Sequence, residues 1–242
     1  MERCSINLGT SFQLCQYAGM ARTQKPTPRR DASLSRESIV DASIELLDAS
    51  GEAGLTFRAL AERLATGAGA IYWHVANKSD LLTAACDAVV ARTLDASPEA
   101  KTPAASIRAV ALGMFDAIDT HPWVGAALNQ APGKLPIVRI LERIGQQLQA
   151  LGVPKRAQWS TASALLHYIL GVAGQNAANA QSGRAMEADR EAMLESVAGE
   201  WLALDPADYP FTRSMAATLS THDDRADFVA GIDLILSGLS RS

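Results

Sequence analysis

Residues 55–82, LTFRALAERLATGAGAIYWHVANKSDLL, constrain this chain more than any other stretch. Thr56 is a good helix N-cap, and Phe57, Leu60, Ala61 and Leu64 follow it at helical spacing. Ala65, Thr66 and Gly67 interrupt the pattern. A second short segment covers 68–75, with Ile71 and Val75 four apart on one face. Asn77 is placed to cap a further helix, with Asp80 in the capping-box position. Two short helices around a tight turn predict a helix-turn-helix, whose second helix enters the DNA major groove. Upstream, Ser35 caps a helix expected over 36–50, Leu34 and Ile39 are set as a hydrophobic staple, and Gly51 stops it. Ile39, Ala42, Leu46 and Leu47 form its core face.

The chain has 242 residues, enough for a small helical domain and a larger one. Hydrophobic residues make up 48% and aromatics only 5%, with Ala and Leu dominant, which favours packed helices over sheets. The net charge of −4 means that any contact with nucleic acid must come from a local patch. Cys4, Cys15 and Cys86 are an odd, irregularly spaced set, so a reducing compartment is expected rather than a disulfide framework. Cys86 lies in an apolar run and reads as a small buried hydrophobe. No stretch has the ~18 apolar residues of a membrane span, and the N-terminus lacks a signal-peptide core. A cytoplasmic protein with no membrane contact is expected.

Residues 1–33 have no sustained period, and Met20 is a second candidate start. Arg22, Lys25, Arg29 and Arg30 follow it with no acid among them. They are either a solvated tail or a basic arm for DNA phosphates and the minor groove. Residues 34–80 read as a three-helix head and 81–242 as a helical body. A fourth helix is expected over 78–95 and a linker over 97–103. Thr102-Pro103 opens a helix to about residue 120 by the cap-and-N1 pattern, and His121-Pro122 breaks it before a short helix through Trp123 and Leu128. Residues 136–151 are amphipathic, with Ile137, Ile140, Leu141, Ile144 and Leu148 inward and Gly152 as the stop. A long helix rich in small residues is expected over 158–182, and another helix over 186–204. A short helix over 211–219 and a last one capped by Asp223 complete an all-α chain. The last helix carries Phe228, Ile232, Leu234, Ile235 and Leu239.

The run Ile71-Tyr72-Trp73-His74-Val75, followed by Asn77-Lys78 and Leu81-Leu82, resembles the end of the TetR-family DNA-binding domain. Thr56, Arg58, Leu60, Ala61 and Leu64 fit the same pattern, so the resemblance covers about 35–85. It implies a homodimeric regulator whose fourth helix joins head to body. It also places Thr56 in the DNA-facing set and Arg58 within reach of a base edge, where a guanidinium matches guanine's two acceptors. Tyr72, His74 and Lys78 carry donors suited to phosphate oxygens. Two positions depart from the family pattern: Ala65 stands where Gly is usual, and Gly67 where Ser or Thr is. The expected reading segment, Gly67-Ala68-Gly69-Ala70, has no side-chain hydrogen-bonding group. Specificity should then lean on Arg58, on apolar contact of Ala68, Ala70 or Trp73 with thymine methyls, and on DNA shape.

The body suggests two further roles. Ala162, Ala164, Gly171, Ala173, Gly174, Ala177 and Ala178 would let one long helix approach another. With Ile232, Ile235 and Leu239 of the last helix, they predict a four-helix dimer bundle. Trp123, Asn129, His167, Gln175 and Asn179 are polar groups in Ala/Leu-rich helices, the inventory of a site for a small hydrophobic effector. His121-Pro122-Trp123 is similar to the tetracycline-repressor-like C-terminal domain, a branch that binds its drug through magnesium. That branch's histidine in the fourth helix has no counterpart at Thr93, Leu94 and Asp95, so neither a metal nor a cofactor is expected. No phosphate loop, nucleophile elbow or Cys-x-x-Cys points to an enzyme, and His222-Asp223-Asp224 are adjacent residues that cannot all face one ion. A repressor released from a palindromic operator by a small molecule is the expected function. A constitutive DNA-binding regulator without a ligand is the alternative, and a helical carrier or enzyme that has lost DNA binding is a third.

Overall fold

The computed structural model describes residues 34–97, 100–130, 133–185, 190–219 and 221–239, which form eleven helices and no strand. The basic residues between Met20 and Arg30, and Cys4 and Cys15, lie outside the described residues.

Helix α1 (Arg36–Gly54) begins where expected. Ser35 Oγ accepts from the Ser38 amide, and the Ser38 hydroxyl answers at the Ser35 amide. It runs past the predicted end, but Gly51 breaks it with φ +61°, a conformation that glycine adopts at no steric cost. Helix α2 (Phe57–Arg63) packs on α1, and α3 (Ala68–Tyr72) packs on α2. Ile39, Leu47, Leu55, Leu60, Ile71 and Leu81 meet in their core, all fully buried. Helix α4 (Lys78–Ala96) starts at an Asn77 cap that accepts from the Asp80 amide at 2.9 Å. It buries Leu81, Ala85, Cys86, Val89, Val90 and Leu94, and it packs against α1 of the head as well as against three later helices of the body. Burial pushes the Cys86 thiol up to about 12, so it remains protonated and inert, as a small hydrophobe does.

The body follows the punctuation in the sequence. Helix α5 (Pro103–Thr120) has its Thr102 cap and Pro103 at the first turn. Helix α6 (Trp123–Gln130) is fully covered on one side, and α7 (Leu135–Ala150) buries Ile137, Ile140, Ile144 and Leu148. Gly152, at φ +74°, ends that segment. The long α8 (Lys155–Ala185) packs against α5, α6 and α7. Gly174 proves to be part of this intramolecular packing: a Cβ built on Gly125 of α6 would stand 3.8 Å from its Cα. Helices α9 (Arg190–Ala203) and α10 (Pro210–Leu219) pack on each other. Helix α11 (Asp224–Leu239) lies on α5 and α8, with two amides of its first turn satisfied by Asp223 Oδ1. Not all of its apolar residues point inward. Leu236 is buried, while Leu234 is 73% exposed. Those residues differ by two positions, about 200° around a helix, so both cannot face one core.

Phe228 is the anchor of α11. Its ring meets Phe115 of α5 at 4.7 Å and Tyr168 of α8 at 5.6 Å. Tyr168 lies across Gly231 and donates to the Phe228 carbonyl at 3.2 Å. Burial, and then the Asp227 carboxylate, hold its phenol above the usual range, so it remains a donor. A Cβ on Gly231 would fall 1.9 Å from the Tyr168 hydroxyl oxygen. Gly231→Ala is expected to destabilise the chain by ~1–3 kcal/mol in urea unfolding, through overpacking. That penalty should largely vanish when Gly231→Ala is made in a Tyr168→Ala background, and equal penalties in both backgrounds would refute the clash.

Candidate DNA interface

Helix α3 buries Ile71 and packs Ala68 against the core, which turns Gly69, Tyr72 and Trp73 outward on one face. Tyr72 is 55% exposed and Trp73 is 90% exposed. The Tyr72 ring stacks on Phe57 at 4.2 Å with only 14° between planes, so the first residue of α2 fixes the last residue of α3. Helical spacing marks Phe57 only as a core residue. Its signal was the aromatic that opens α2. Arg58, next to it, has a 90% exposed side chain whose Nε donates to Glu62 at 3.0 Å. Thr56 Oγ1 accepts from the Ala59 amide at 3.1 Å, which leaves its O–H free to donate outward.

His74 and Lys78 are placed differently. His74 is half-buried and lines a separate cavity with Arg36, Asp87 and Lys134. Lys78 Nζ donates to the Glu52 carbonyl at 2.6 Å, bridging the end of α1 to the start of α4. An ammonium has three donors, so this contact leaves others for a phosphate. Ala70 is half-buried, its amide bonded to the Gly67 carbonyl at 3.0 Å. The head is not basic by its own residues. Over 34–82, Arg36, Arg58, Arg63 and Lys78 face Glu37, Asp41, Glu45, Asp48, Glu52, Glu62 and Asp80.

The body residues expected to hold an effector separate into two places. Trp123 is buried, and its Nε1 donates to Asp48 of α1 at 2.7 Å. The His121 Nδ1, at the C-cap of α5, meets the same carboxylate oxygen at 2.7 Å, so the two residues tie the α5–α6 junction to the head. Asn129 is exposed near the end of α6. His167, Gln175 and Asn179 are exposed along α8 and line a cavity of about 480 Å³ with Tyr168 and His222. Gln175 donates to Asn179 at 3.0 Å. A larger cavity of about 610 Å³, which the sequence did not reveal, lies between α1, α4 and α5. Ile44, Val89, Leu112 and Ala117 give it apolar walls, and Arg92, Thr93, Thr120 and His121 add polar groups. At the start of α11, His222 sits between Asp224 and Asp227, 2.8 Å from each. Among the described residues, no group of three His, Cys, Asp or Glu could hold a metal ion, and no helix is long and apolar enough to cross a membrane.

A tripartite head with an outward aromatic face, carried by a larger helical body, defines a helix-turn-helix DNA-binding regulator. The family model for bacterial regulatory proteins of the tetR family matches residues 39–85, and that for the tetracyclin repressor-like C-terminal domain matches 98–242. The chain belongs to the TetR family of transcriptional regulators. It is 31% identical to an HTH-type transcriptional regulator of Saccharopolyspora erythraea over 206 residues, covering 76% of this chain and 86% of that protein. A TetR transcriptional regulator of Streptomyces coelicolor matches in structure with TM-score 0.78 and 51% identity, covering 86% of this chain and 99% of that one. The TetR family protein ActR of the same organism, solved with actinorhodin, shares the fold at TM-score 0.71 and 22% identity, covering 86% of this chain and 96% of ActR.

The turn between α2 and α3 contains one strained residue. Ala65 adopts φ +49°, which costs a side-chain-bearing residue roughly 1–2 kcal/mol. Part of that is recovered by alanine's smaller loss of backbone entropy. Ala65→Gly is therefore expected to raise stability by ~0.5–1 kcal/mol in chemical unfolding. A lower midpoint would show that the turn carries no strain.

Proposed function

We propose that this chain is a homodimeric repressor that leaves a palindromic operator when a small hydrophobic molecule binds its body. The observation that carries this reading is the carboxylate of Asp48. It belongs to the head and accepts from Trp123 and contacts His121, both of the body. The two elements therefore cannot shift independently, and a body-bound ligand has a lever on the head. A two-fold operator needs two heads about one DNA turn, ~34–36 Å, apart, so a small change of α4 tilt abolishes simultaneous engagement. The ActR–actinorhodin complex, from a protein of the same fold, supports a ligand-responsive body.

The cavity between α1, α4 and α5 is the better effector site of the two. Its volume suits a small organic ligand, and its walls include both helices that carry the head. His167, Gly171 and Gln175 instead repeat every four residues on the exposed face of α8. With Leu234 exposed on α11, that face is the dimer surface in this reading, and the role first expected for His167, Gln175 and Asn179 moves toward the partner. Head contacts divide by chemistry: Thr56, Tyr72 and Lys78 position the duplex through phosphates, while Arg58 and Trp73 read bases. Residues 34–82 carry more acids than bases, so Arg22, Lys25, Arg29 and Arg30 supply much of the attraction to the phosphates.

Lys78→Ala should weaken binding to every duplex alike and flatten the salt dependence by about one unit. Arg58→Ala should relax preference at one base pair per half-site, by ~1–3 kcal/mol, in anisotropy titrations against single-base variants. Equal losses on specific and random duplexes would remove Arg58 from base reading. For the switch, hydrophobic small molecules are screened by calorimetry against free and operator-bound protein. Linkage requires a true effector to bind the operator complex less tightly, by about 5–150-fold. If every hit binds both forms equally, the constitutive DNA-binding regulator replaces the switch.

A further inference from the structure

We infer that the effector of the cavity between α1, α4 and α5 is a hydrogen-bond donor, an apolar skeleton that carries several hydroxyl groups rather than ethers, carbonyls or an acid. The inference rests on the reading of that cavity as the effector site and names what the site selects. Most polar groups of its lining are committed to accepting. Thr93 Oγ1, on α4, donates its proton to the Val89 carbonyl at 2.8 Å. Ser97 Oγ, one turn on, donates to the Thr93 carbonyl at 2.9 Å. Each hydroxyl therefore turns its lone pairs away from its own helix. His121 Nδ1 lies 2.7 Å from an Asp48 carboxylate oxygen, which only accepts. That contact holds the proton on Nδ1, and the neutral ring keeps a lone pair at Nε2. Asp116, on α5, accepts through its carboxylate and is held by Arg225 of α11. The charged donor of the lining, Arg92, already meets Asp41 of α1. Only the Thr120 hydroxyl can serve either way.

The second observation is Gly113, in the middle of α5. A Cβ there would stand 3.1 Å from Thr93 Cγ2 and 3.3 Å from Ser97 Oγ. Hydrogen at this position lets α4 and α5 approach closely, and it leaves the Ser97 oxygen uncovered at the cavity wall. Thr93 and Ser97 are four residues apart, as are Asp116 and Thr120, so two helices each bring a row of oxygens to the cavity. Ile44, Val89, Leu112 and Ala117 cover much of the rest with apolar side chains. A ligand that enters gives up its hydration. Its ether or carbonyl oxygens would meet lone pairs and go unpaired, and a carboxylate would be repelled by Asp116. A hydroxyl instead gives its proton to one of these acceptors and regains the bond it had with water. A molecule with hydroxyls on two edges would join α4 to α5 and so fix the angle of the helix that carries the head.

The test uses the full chain and two matched pairs of probes, a naphthalenediol and luteolin, each against its fully O-methylated ether. Titration calorimetry should show the hydroxylated member of at least one pair binding ~10-fold or more tightly than its ether. Thr93→Val keeps the side chain's shape and removes the acceptor, and should cut that preference ~5-fold or more. Ser97→Ala should do the same. Thr93→Ser, which retains the acceptor, should keep the preference and so separates lost chemistry from lost packing. Ser160→Ala, on the exposed face of α8, should change nothing. The inference is overturned if neither hydroxylated probe binds, if the ethers bind as tightly, or if Thr93→Val and Ser97→Ala retain the full preference. The switch is read separately. Hydroxylated probes that bind free and operator-bound protein equally would remove the switch and leave the donor-selective site. Hydrophobic compounds that release the operator with no preference for hydroxyls would leave the switch and remove the donor-selective site.

Discussion

Everything in this molecule hangs on α4 belonging to two cores at once. It packs against α1 of the head and against α5, α6 and α7 of the body, and buries Leu81, Ala85, Val89, Val90 and Leu94 between them. Arg92 pairs with Asp41 of α1, and Arg139 of α7 pairs with Asp87 at 2.7 Å, so the helix is held from both sides. These exposed pairs contribute roughly 0–1 kcal/mol each and so set orientation rather than stability. A helix of this length is stiff, so displacement at its body end is carried to the head. The Asp48 contacts to His121 and Trp123 provide a second tie, through α1 rather than α4. Two ties make the head's position a property of the body.

The charges of the head are mostly spent within it. Arg58 meets Glu62, Arg63 meets Glu45 and Lys78 meets the Glu52 carbonyl. At exposed positions such pairs exchange for phosphate at little cost, because their net worth in water is small. The partners also keep long side chains in defined places before DNA arrives. What remains outward on α3 is aromatic and glycine surface rather than polar groups. In the proposed reading, recognition by this head leans on fit and methyl contact more than on hydrogen-bond readout.

Along the sequence, the parts governed by local physics could be read directly. Ser35, Thr56, Asn77, Thr102 and Asp223 all act as caps or first-turn acceptors where their spacing placed them. Gly51 and Gly152 break or end helices because the backbone there needs positive φ. The all-α architecture, the helix-turn-helix and the membership of the family followed from apolar periodicity and from the IYWHV run with its neighbours. Those signals are local, with partners within about four residues.

What lies farther apart in sequence was decided only by packing. That Trp123 donates to Asp48 depends on α6 meeting α1, a pairing across 75 positions. That Gly174 faces α6 while Gly171 faces outward depends on how α8 is rotated against its neighbours. The apolar pattern of α11 is too uniform to set that helix's rotation, and the Phe115–Phe228–Tyr168 stack chose Leu236 over Leu234 for the core. Sequence by itself determined which residues form helices and which motif reads DNA, because caps and periodicity act within a turn or two. Tertiary structure alone decided which polar side chains hold head to body and which faces stay open, because those choices depend on surfaces that meet only after the helices pack.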